Sequence, residues 1–522
     1  MTRAWQCIGL FFALIAIGAQ GVRWLRVLQR EHYEPEALSR FFIRWAIFRL
    51  PSPSNRNQIA PSQSLGDWPI VAALCAALGL TGFGGVALAV AVGYGWWLPQ
   101  GLSRRGRTSP LNWTRRLKTV AFVATVIELC IFTVGYFGPD FYFSLAIAIG
   151  FVPIVIQLAA EITAPLENRL AQKFVDQAAH RLSEVHPTVV AITGSFGKTS
   201  TKHHLAELLG GRHGVVPTPR SFNNRAGLSR AINENLVSGT TVFIAEMGTY
   251  GPGEISALCA WCPPEIAVVT AIGPVHLERM ETLEVIEQAK FEITERAHTV
   301  ILNVDDARLA AWVSKLEAAG KKVITAGSAA QSAQVRVLLE RERWKILRDD
   351  VVVAEVLPVA GIHETNLACA IAASFELGGD PYEVATRISH LTAAQHRLTV
   401  VRAPSGLTII DDTFNANPAS ARAALELLQS IPVSGRKVVI TPGLIELGSE
   451  QAEENEALGR AIKASGASLV VVARTNARAL TTGFDDEHLR FDIRDEAVAW
   501  VRANLGETDL VLYLNDLPDH YP

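Results

Sequence analysis

The stretch Thr193-Gly194-Ser195-Phe196-Gly197-Lys198-Thr199-Ser200 carries the residue types that hold a nucleoside triphosphate such as ATP. Glycines let backbone N–H groups converge on phosphate oxygens, and a helix opening at Lys198 adds the positive end of its dipole. Lys198 is placed to contact the outer phosphates, and the Thr199 hydroxyl to ligate Mg²⁺. The strict form of such a loop has a further glycine five residues before Gly197, where Ile192 stands. A shorter variant is left, TGxxGKT followed by serine. The apolar run before it reads as a buried strand and "KTSTKHHLAELL" after it as a helix, the setting that this chemistry needs. Glu246 ends another apolar run, "FIAEMG". Open α/β sheets gather their ligands at the C-terminal ends of strands, so a carboxylate there is a natural Mg²⁺ ligand beside Thr199. The competing reading is a solvated surface glutamate.

These residues need a sheet to position them. From about His186, short β-rich runs ("TVVAIT", "TVFIAEM", "EIAVVTAI", "TVILNV") alternate with helical stretches. That rhythm predicts an α/β domain with a largely parallel sheet. A second series, "LTIIDD", "KVVITPG", "SLVVVAR" and "DLVLYL", begins near Arg397 and predicts a second α/β domain. The boundary falls around Thr392 to Thr399.

The 522-residue chain has a net charge of −3, which argues against a general nucleic-acid binder. The charge is unevenly spread. Up to Glu161 acids are few and arginines cluster. "WQCIGLFFALIAIGAQGV" (Trp5–Val22), Thr119–Phe137 and Phe141–Ala160 each suit one membrane span, the last two forming a hairpin across Gly138-Pro139-Asp140. A cleaved signal peptide is the alternative for the first, but no convincing cleavage site follows it. Pro69 to Pro99 is long for one helix and short for two. The loop after the first span carries Arg23, Arg26, Arg30, Arg40, Arg44, Arg49 and Arg56; that before Thr119 carries Arg104, Arg105, Arg107, Arg115, Arg116 and Lys118. Both should face the cytoplasm, so the segment between them crosses an even number of times, with "TGFGG" (Thr81–Gly85) as a turn or a re-entrant tip. The expected organisation is a transmembrane region over 1–160 with about five crossings, an amphipathic linker helix over 161–186, a central domain over 187–394 and a C-terminal domain over 395–522. The N-terminus lies outside the plasma membrane and the α/β domains inside, where ATP is. Of the six cysteines only Cys259 and Cys262 form a CxxC, and two ligands do not close a zinc site.

With its neighbours, the variant loop resembles the Mur ligases, the ATP-dependent amide-forming enzymes of peptidoglycan synthesis. Further motifs follow in that family's order: "SFNNRAGL" (Ser221–Leu228), "AEMGTYGPGEI" (Ala245–Ile255), "IGPVHLERM" (Ile272–Met280), "QAKFEI" (Gln288–Ile293), "ILNVDD" (Ile301–Asp306), "GIHETNLACAIAA" (Gly361–Ala373), "QHRL" and "IIDDTFNANPAS". Together they span roughly Val189 to Gly448. The resemblance implies a P-loop ATPase-like central domain and a Rossmann-like C-terminal domain. It implies ATP and two Mg²⁺ ions, an acyl-phosphate intermediate, and attack by an amine. It implies that Thr199, Glu246, His276 and Lys290 serve the metals, Lys290 through a CO₂-derived carbamate. Asn303 and Asn366 would lie around the adenine pocket, and Arg397 and Asp412 would reach the nucleotide when the last domain closes. His363 would pack the pocket. The paired asparagines Asn223 and Asn224, the PGEI and the NAN containing Asn415 and Asn417 resemble the branch that adds D-alanyl-D-alanine to a muropeptide, and those asparagines would meet substrate.

Two departures stand out. Apolar helices replace the family's N-terminal domain, which grips the uridine-diphosphate end of the precursor, so the acceptor is either nucleotide-linked or lipid-linked. The family's lysine- and serine-bearing C-terminal segment is missing; Asn515, Asp516 and Asp519 either replace it or form a polar end. A ligase making another polymer is a further reading. An amidating relative would bring four metal-binding cysteines, and a transporter would need more intramembrane charge than Glu128. Membrane lipid is an expected partner; nothing in the sequence selects a protein partner.

Overall fold

The computed structural model describes residues 2–31, 33, 37–42, 67–97, 111–137, 140–211, 214–275, 277–359, 361–392, 398–413, 416–445, 447, 450–473 and 475–515. Most of the expected domain boundary around Thr392 to Thr399, namely 393–397 with Arg397, lies outside them, as do His276, Asn415, Asp516 and Asp519.

The valine- and isoleucine-rich runs form a nine-stranded sheet in the order β2-β3-β1-β4-β5-β6-β7-β8-β9. Its strands are β1 (Thr188–Thr193), β2 (Val215–Pro217), β3 (Val242–Glu246), β4 (Ile266–Val269), β5 (Thr299–Asn303), β6 (Lys322–Gly327), β7 (Val335–Glu340), β8 (Arg343–Arg348) and β9 (Val351–Val356). The strands from β2 to β7 pair in parallel, with Val190 registered on Ile244 of β3 and on Ile266 of β4. The two-residue period of β1 divides its side chains between two cores. Val190 and Ile192 pack with Leu205 and Leu208 and with the helix Glu364–Glu376, while Val189 and Ala191 pack with Leu228 and Ile232. The chain leaves β1 towards β3 and returns on its other side at β4, so β1 lies at a switch point, where such sheets open a crevice. The antiparallel ribbon β7–β8–β9 was not foreseen. Its turns place Arg341, Glu342, Asp349 and Asp350 at φ between +48° and +63°. Mirror-image hairpin turns need that geometry and usually advertise it with Asn-Gly or Asp-Gly.

The second sheet has the order β10-β11-β15-β12-β13-β14. It consists of β10 (Thr399–Arg402), β11 (Thr408–Asp412), β12 (Lys437–Thr441), β13 (Ser468–Val472), β14 (Leu489–Phe491) and β15 (Leu510–Leu514). Only β10 is antiparallel to its neighbour.

The N-terminal helices are α1 (Thr2–Arg30), α2 (Ala37–Phe42), α3 (Asp67–Leu80), α4 (Gly84–Trp97), α5 (Arg115–Tyr136) and α6 (Phe141–Val185). Three of them, α1, α5 and α6, are long and apolar enough to cross a membrane. The segment 69–99 is not one tilted helix: it breaks at Thr81–Phe83, where Gly82 has φ +84°. Each 14-residue arm is about 21 Å long, short of a ~30 Å hydrocarbon core. Small residues let the helices approach closely. A Cβ on Gly79 would lie 2.2 Å from the Phe143 ring, and one on Gly95 2.8 Å from Ile149. Phe11, Phe122, Val134 and Leu158 face outward.

Residues 161–185 are helical and continue the last apolar helix: α6 runs for 45 residues, about 67 Å. Its Asp140 cap accepts hydrogen bonds from the Tyr142 and Phe143 amides, and Pro153 and Pro165 lie within the helix without ending it. Ala178 and Leu182, near its far end, belong to the core beneath the nine-stranded sheet. One helix is therefore shared by the apolar bundle and the α/β body.

Candidate active site

The loop after β1 is held by two glycines with backbones that other residues rarely adopt. Gly194 has φ +152°, and a Cβ there would meet the Thr270 hydroxyl at 2.0 Å. Gly197 has φ +80° and caps the helix α7 (Lys198–Leu209), with the Asn366 side-chain oxygen 2.2 Å from where its Cβ would be. Ser195 fastens the loop to the segment after β4: its hydroxyl donates to the Gly273 carbonyl at 3.0 Å and accepts from the Gly273 amide at 2.9 Å. Phe196 lies against the open face of Gly273, and its carbonyl accepts from Thr270. Lys198 Nζ donates back to the Gly194 carbonyl at 2.7 Å. Thr199 and Ser200 begin the helix, so free amides and the dipole end point into the loop.

Glu246 is the hub beneath it. The side chain is 1% exposed; its Oε2 accepts from Thr199 Oγ1 at 3.1 Å and pairs with Lys202 Nζ at 2.9 Å. Its Oε1 accepts from Asn223 Nδ2 at 3.2 Å. Burial pushes the carboxyl up, but the Lys202 and Lys198 ammonium groups with the Lys202 and Asn223 hydrogen bonds outweigh it, holding Glu246 below the ordinary carboxylate range. Lys202 was missed in the sequence, although it lies one helical turn after Lys198 on the same face.

Lys290 is buried at the end of the helix Leu283–Phe291, and burial, then the Lys198 charge, holds its amine well below the ordinary lysine value. The chemistry of this set suits Mg²⁺, which takes one or two protein oxygens and leaves its other positions to phosphates and water. Thr199 and Glu246 are the side chains that could supply those oxygens, and a lysine amine adds CO₂ only in its neutral form, which burial favours at Lys290.

The other expected residues divide. Asn303 donates to the Thr270 carbonyl at 2.8 Å, which brings the end of β5 against the loop. Asn366 lies on the loop at Gly197, and its carbonyl accepts from Thr201. His363 is exposed at the start of the helix Glu364–Glu376, whose first amides it does not cap through its side chain. Asn224 is used structurally, accepting from the Gly227 amide at 2.9 Å as the cap of the helix Arg225–Asn235. Asn417 likewise caps Pro418–Ser430 in a reciprocal box with Ser420. Asp412 is buried at the end of β11 and accepts from the Leu398 amide at 3.2 Å. Asn515 is buried too, and its amide group joins Ala416 to Gly443. Asp305 accepts from the amides of Ser328, Ala329 and Ala330, and Asp306 from the Ile272 amide, so the acidic pair fastens loops together. The thiols of Cys259 and Cys262 are buried; burial pushes Cys259 up to about 12 and Cys262 higher still, where neither offers a thiolate to a metal.

A family model described as Mur ligase middle domain matches residues 192–374, and one described as Mur ligase, glutamate ligase domain, matches residues 396–514. A UDP-N-acetylmuramoyl-tripeptide–D-alanyl-D-alanine ligase from Mycobacterium bovis is 35% identical over 301 residues, 55% of this chain and 58% of the relative. One from Bacillus subtilis is 27% identical over 340 residues, 64% of this chain and 74% of the relative. The chain thus spans less than two thirds of the length of the mycobacterial relative. Among solved structures, the MurF ligase from Thermotoga maritima in complex with ADP matches with a TM-score of 0.57 at 25% identity, covering 66% of this chain and 80% of that one. Both family models begin beyond α6.

Proposed function

The chain belongs to the Mur ligase family, and on that premise we propose that it is a membrane-anchored, ATP-dependent amide ligase of peptidoglycan precursor synthesis, adding D-alanyl-D-alanine to a muramoyl-tripeptide. The observation that carries this reading is the buried cluster of Thr199, Lys202 and Glu246 under a phosphate loop shaped by Gly194 and Gly197.

The residues divide the work. The amides from Gly194 to Ser200 and the α7 dipole receive the ATP phosphates, and Lys198 turns from the Gly194 carbonyl to the outer phosphate. The tripeptide carboxylate attacks the γ-phosphorus, forming a C–O–P linkage and releasing ADP. The dipeptide amine then attacks the acyl carbon, and phosphate leaves with the C–O electron pair. Thr199 and Glu246 would hold Mg²⁺, with His276 and a carbamylated Lys290 at a second ion; bound there, the metal neutralises the crowded anions. Lys202 keeps Glu246 ionised and positioned. Asn303 and Asn366 would frame the nucleotide, and Asn223 and Asn415 would meet substrate. Closure of the C-terminal domain would bring Arg397 and Asp412 to the phosphates and exclude water from the acyl phosphate.

The acceptor has a second reading, a lipid-linked muropeptide, favoured by α6 entering the core of the catalytic body directly from the apolar bundle. Detergent-solubilised chain incubated with ATP, Mg²⁺ and D-alanyl-D-alanine tests both. The expected result is phosphate release with an amide product of the added-dipeptide mass. A UDP-linked precursor yields it under the first reading, only a lipid-linked one under the second, and product from neither overturns the proposal.

A further inference from the structure

The first apolar helix touches the catalytic body beside the proposed metal site. Glu31, immediately after α1, accepts from Arg279 Nη2 at 2.8 Å, both side chains being about four-fifths buried. Arg279 lies in the short helix Leu277–Met280 that follows His276, and its neighbours Leu277 and Met280 are anchored in the main core. Its guanidinium lies over the Tyr250 ring, 4.6 Å from the centroid. Tyr250 is four residues beyond Glu246, in the loop that leaves β3.

That loop is tied to the other side of the site. The Tyr250 amide and the Thr249 hydroxyl donate to the Glu254 carboxylate at 2.7 and 3.1 Å. The amides of Gly253 and Ser256 donate to Glu292 at 2.6 and 2.9 Å. Glu292 directly follows the helix that carries Lys290. A chain of contacts therefore leads from the C-terminal end of α1 through Arg279 and Tyr250 to the segment joining Glu246 to Lys290.

Resting on the ligase reading above, we propose that Glu31 and Arg279 are a positioning pair, through which the first apolar helix sets the 247–253 loop and so the spacing of the catalytic groups on either side of it. Neither residue touches the reacting atoms. A charge in the N-terminal bundle fixes the active-site loop, and ligation depends on the bundle being docked.

The test uses the full chain in nanodiscs with Glu31→Gln, Glu31→Arg, Arg279→Glu and the double exchange Glu31→Arg/Arg279→Glu, a double-mutant cycle. Turnover is read with ATP, D-alanyl-D-alanine and the tripeptide precursor that the wild type accepts, and hydrogen exchange is read over 247–253. Each charge reversal should lower kcat about tenfold with the KM for ATP unchanged and speed exchange in the loop but not in β1. Glu31→Gln, nearly isosteric, should do the same to a lesser degree, which keeps the test valid if a reversal fails to insert. The exchanged pair should recover most of both losses. Wild-type kcat and exchange in the single variants, or a double variant no better than the worse single one, overturns the proposal. A wild type that makes no amide removes the ligase reading instead, and the exchange data then decide the pairing alone.

Discussion

Glu246 shows how one buried acid is kept charged. Four neighbours surround it in sequence-distant positions, and Lys202 supplies the shortest contact at 2.9 Å. Removing one partner of a buried ion pair strands the other, so Lys202→Met should destabilise the protein by about 3 to 5 kcal/mol, read by thermal unfolding in detergent. The pH dependence has a definite sign. Because the folded carboxyl lies below its ordinary value of 4.5, its contribution is full above that value and is lost as pH falls through the folded value. In Lys202→Met the opposing burial wins, so acid inactivation should begin at a higher pH; an unchanged acid midpoint would count against the pairing. Lys290→Ala should lose turnover and regain part of it with added formate or acetate, which replace a carbamate's carboxylate. Wild-type activity without any addition would speak for an ordinary structural lysine. At this scale the sequence was a good guide where chemistry demands an odd backbone, as at Gly194 and Gly197. It was a poor guide to Lys202, an unremarkable helical lysine until folding puts it on Glu246. Asn224 and Asn417 cap helices here, a use of asparagine that the sequence does not distinguish from substrate contact.

Elements whose side chains alternate between two cores were legible, and β1, β3, β4 and β5 coincide with the apolar runs that announced them. The ribbon β7–β9 was hidden because Arg341-Glu342 and Asp349-Asp350 make turns for which glycine or asparagine is the usual sign. The helix leading from the last apolar run into the catalytic body was legible, and α6 carries it past Pro165 as one element. Asn417 gives a prediction at this scale. Asn417→Ala breaks its box with Ser420 and should cost about 1 kcal/mol, seen as a lower unfolding midpoint. A loss of dipeptide affinity with no change in that midpoint would instead place Asn417 at the substrate.

For the whole molecule, arginines on both flanks of 69–99 and the break at Thr81–Phe83 agree with an even number of passes. On the proposed topology both α/β domains would face the cytoplasm. Protease added outside intact spheroplasts should leave a C-terminal epitope tag uncut, and permeabilised cells should lose it; cleavage in intact cells would invert the orientation.

The unbroken α6 also gives the molecule a compass bearing. Each residue of an α-helix turns the chain by about 100° and advances it about 1.5 Å. Inserting one alanine between Glu167, which Arg115 grips at 2.7 Å, and Gln172, which meets Arg225, would swing the catalytic body a quarter-turn away from Arg279's partner. Seven alanines would restore the heading to within about 20° but raise the body about 10 Å off its seat. Height and azimuth relative to the apolar bundle are thus encoded in one residue count, so this stretch should tolerate substitution far better than any change of length.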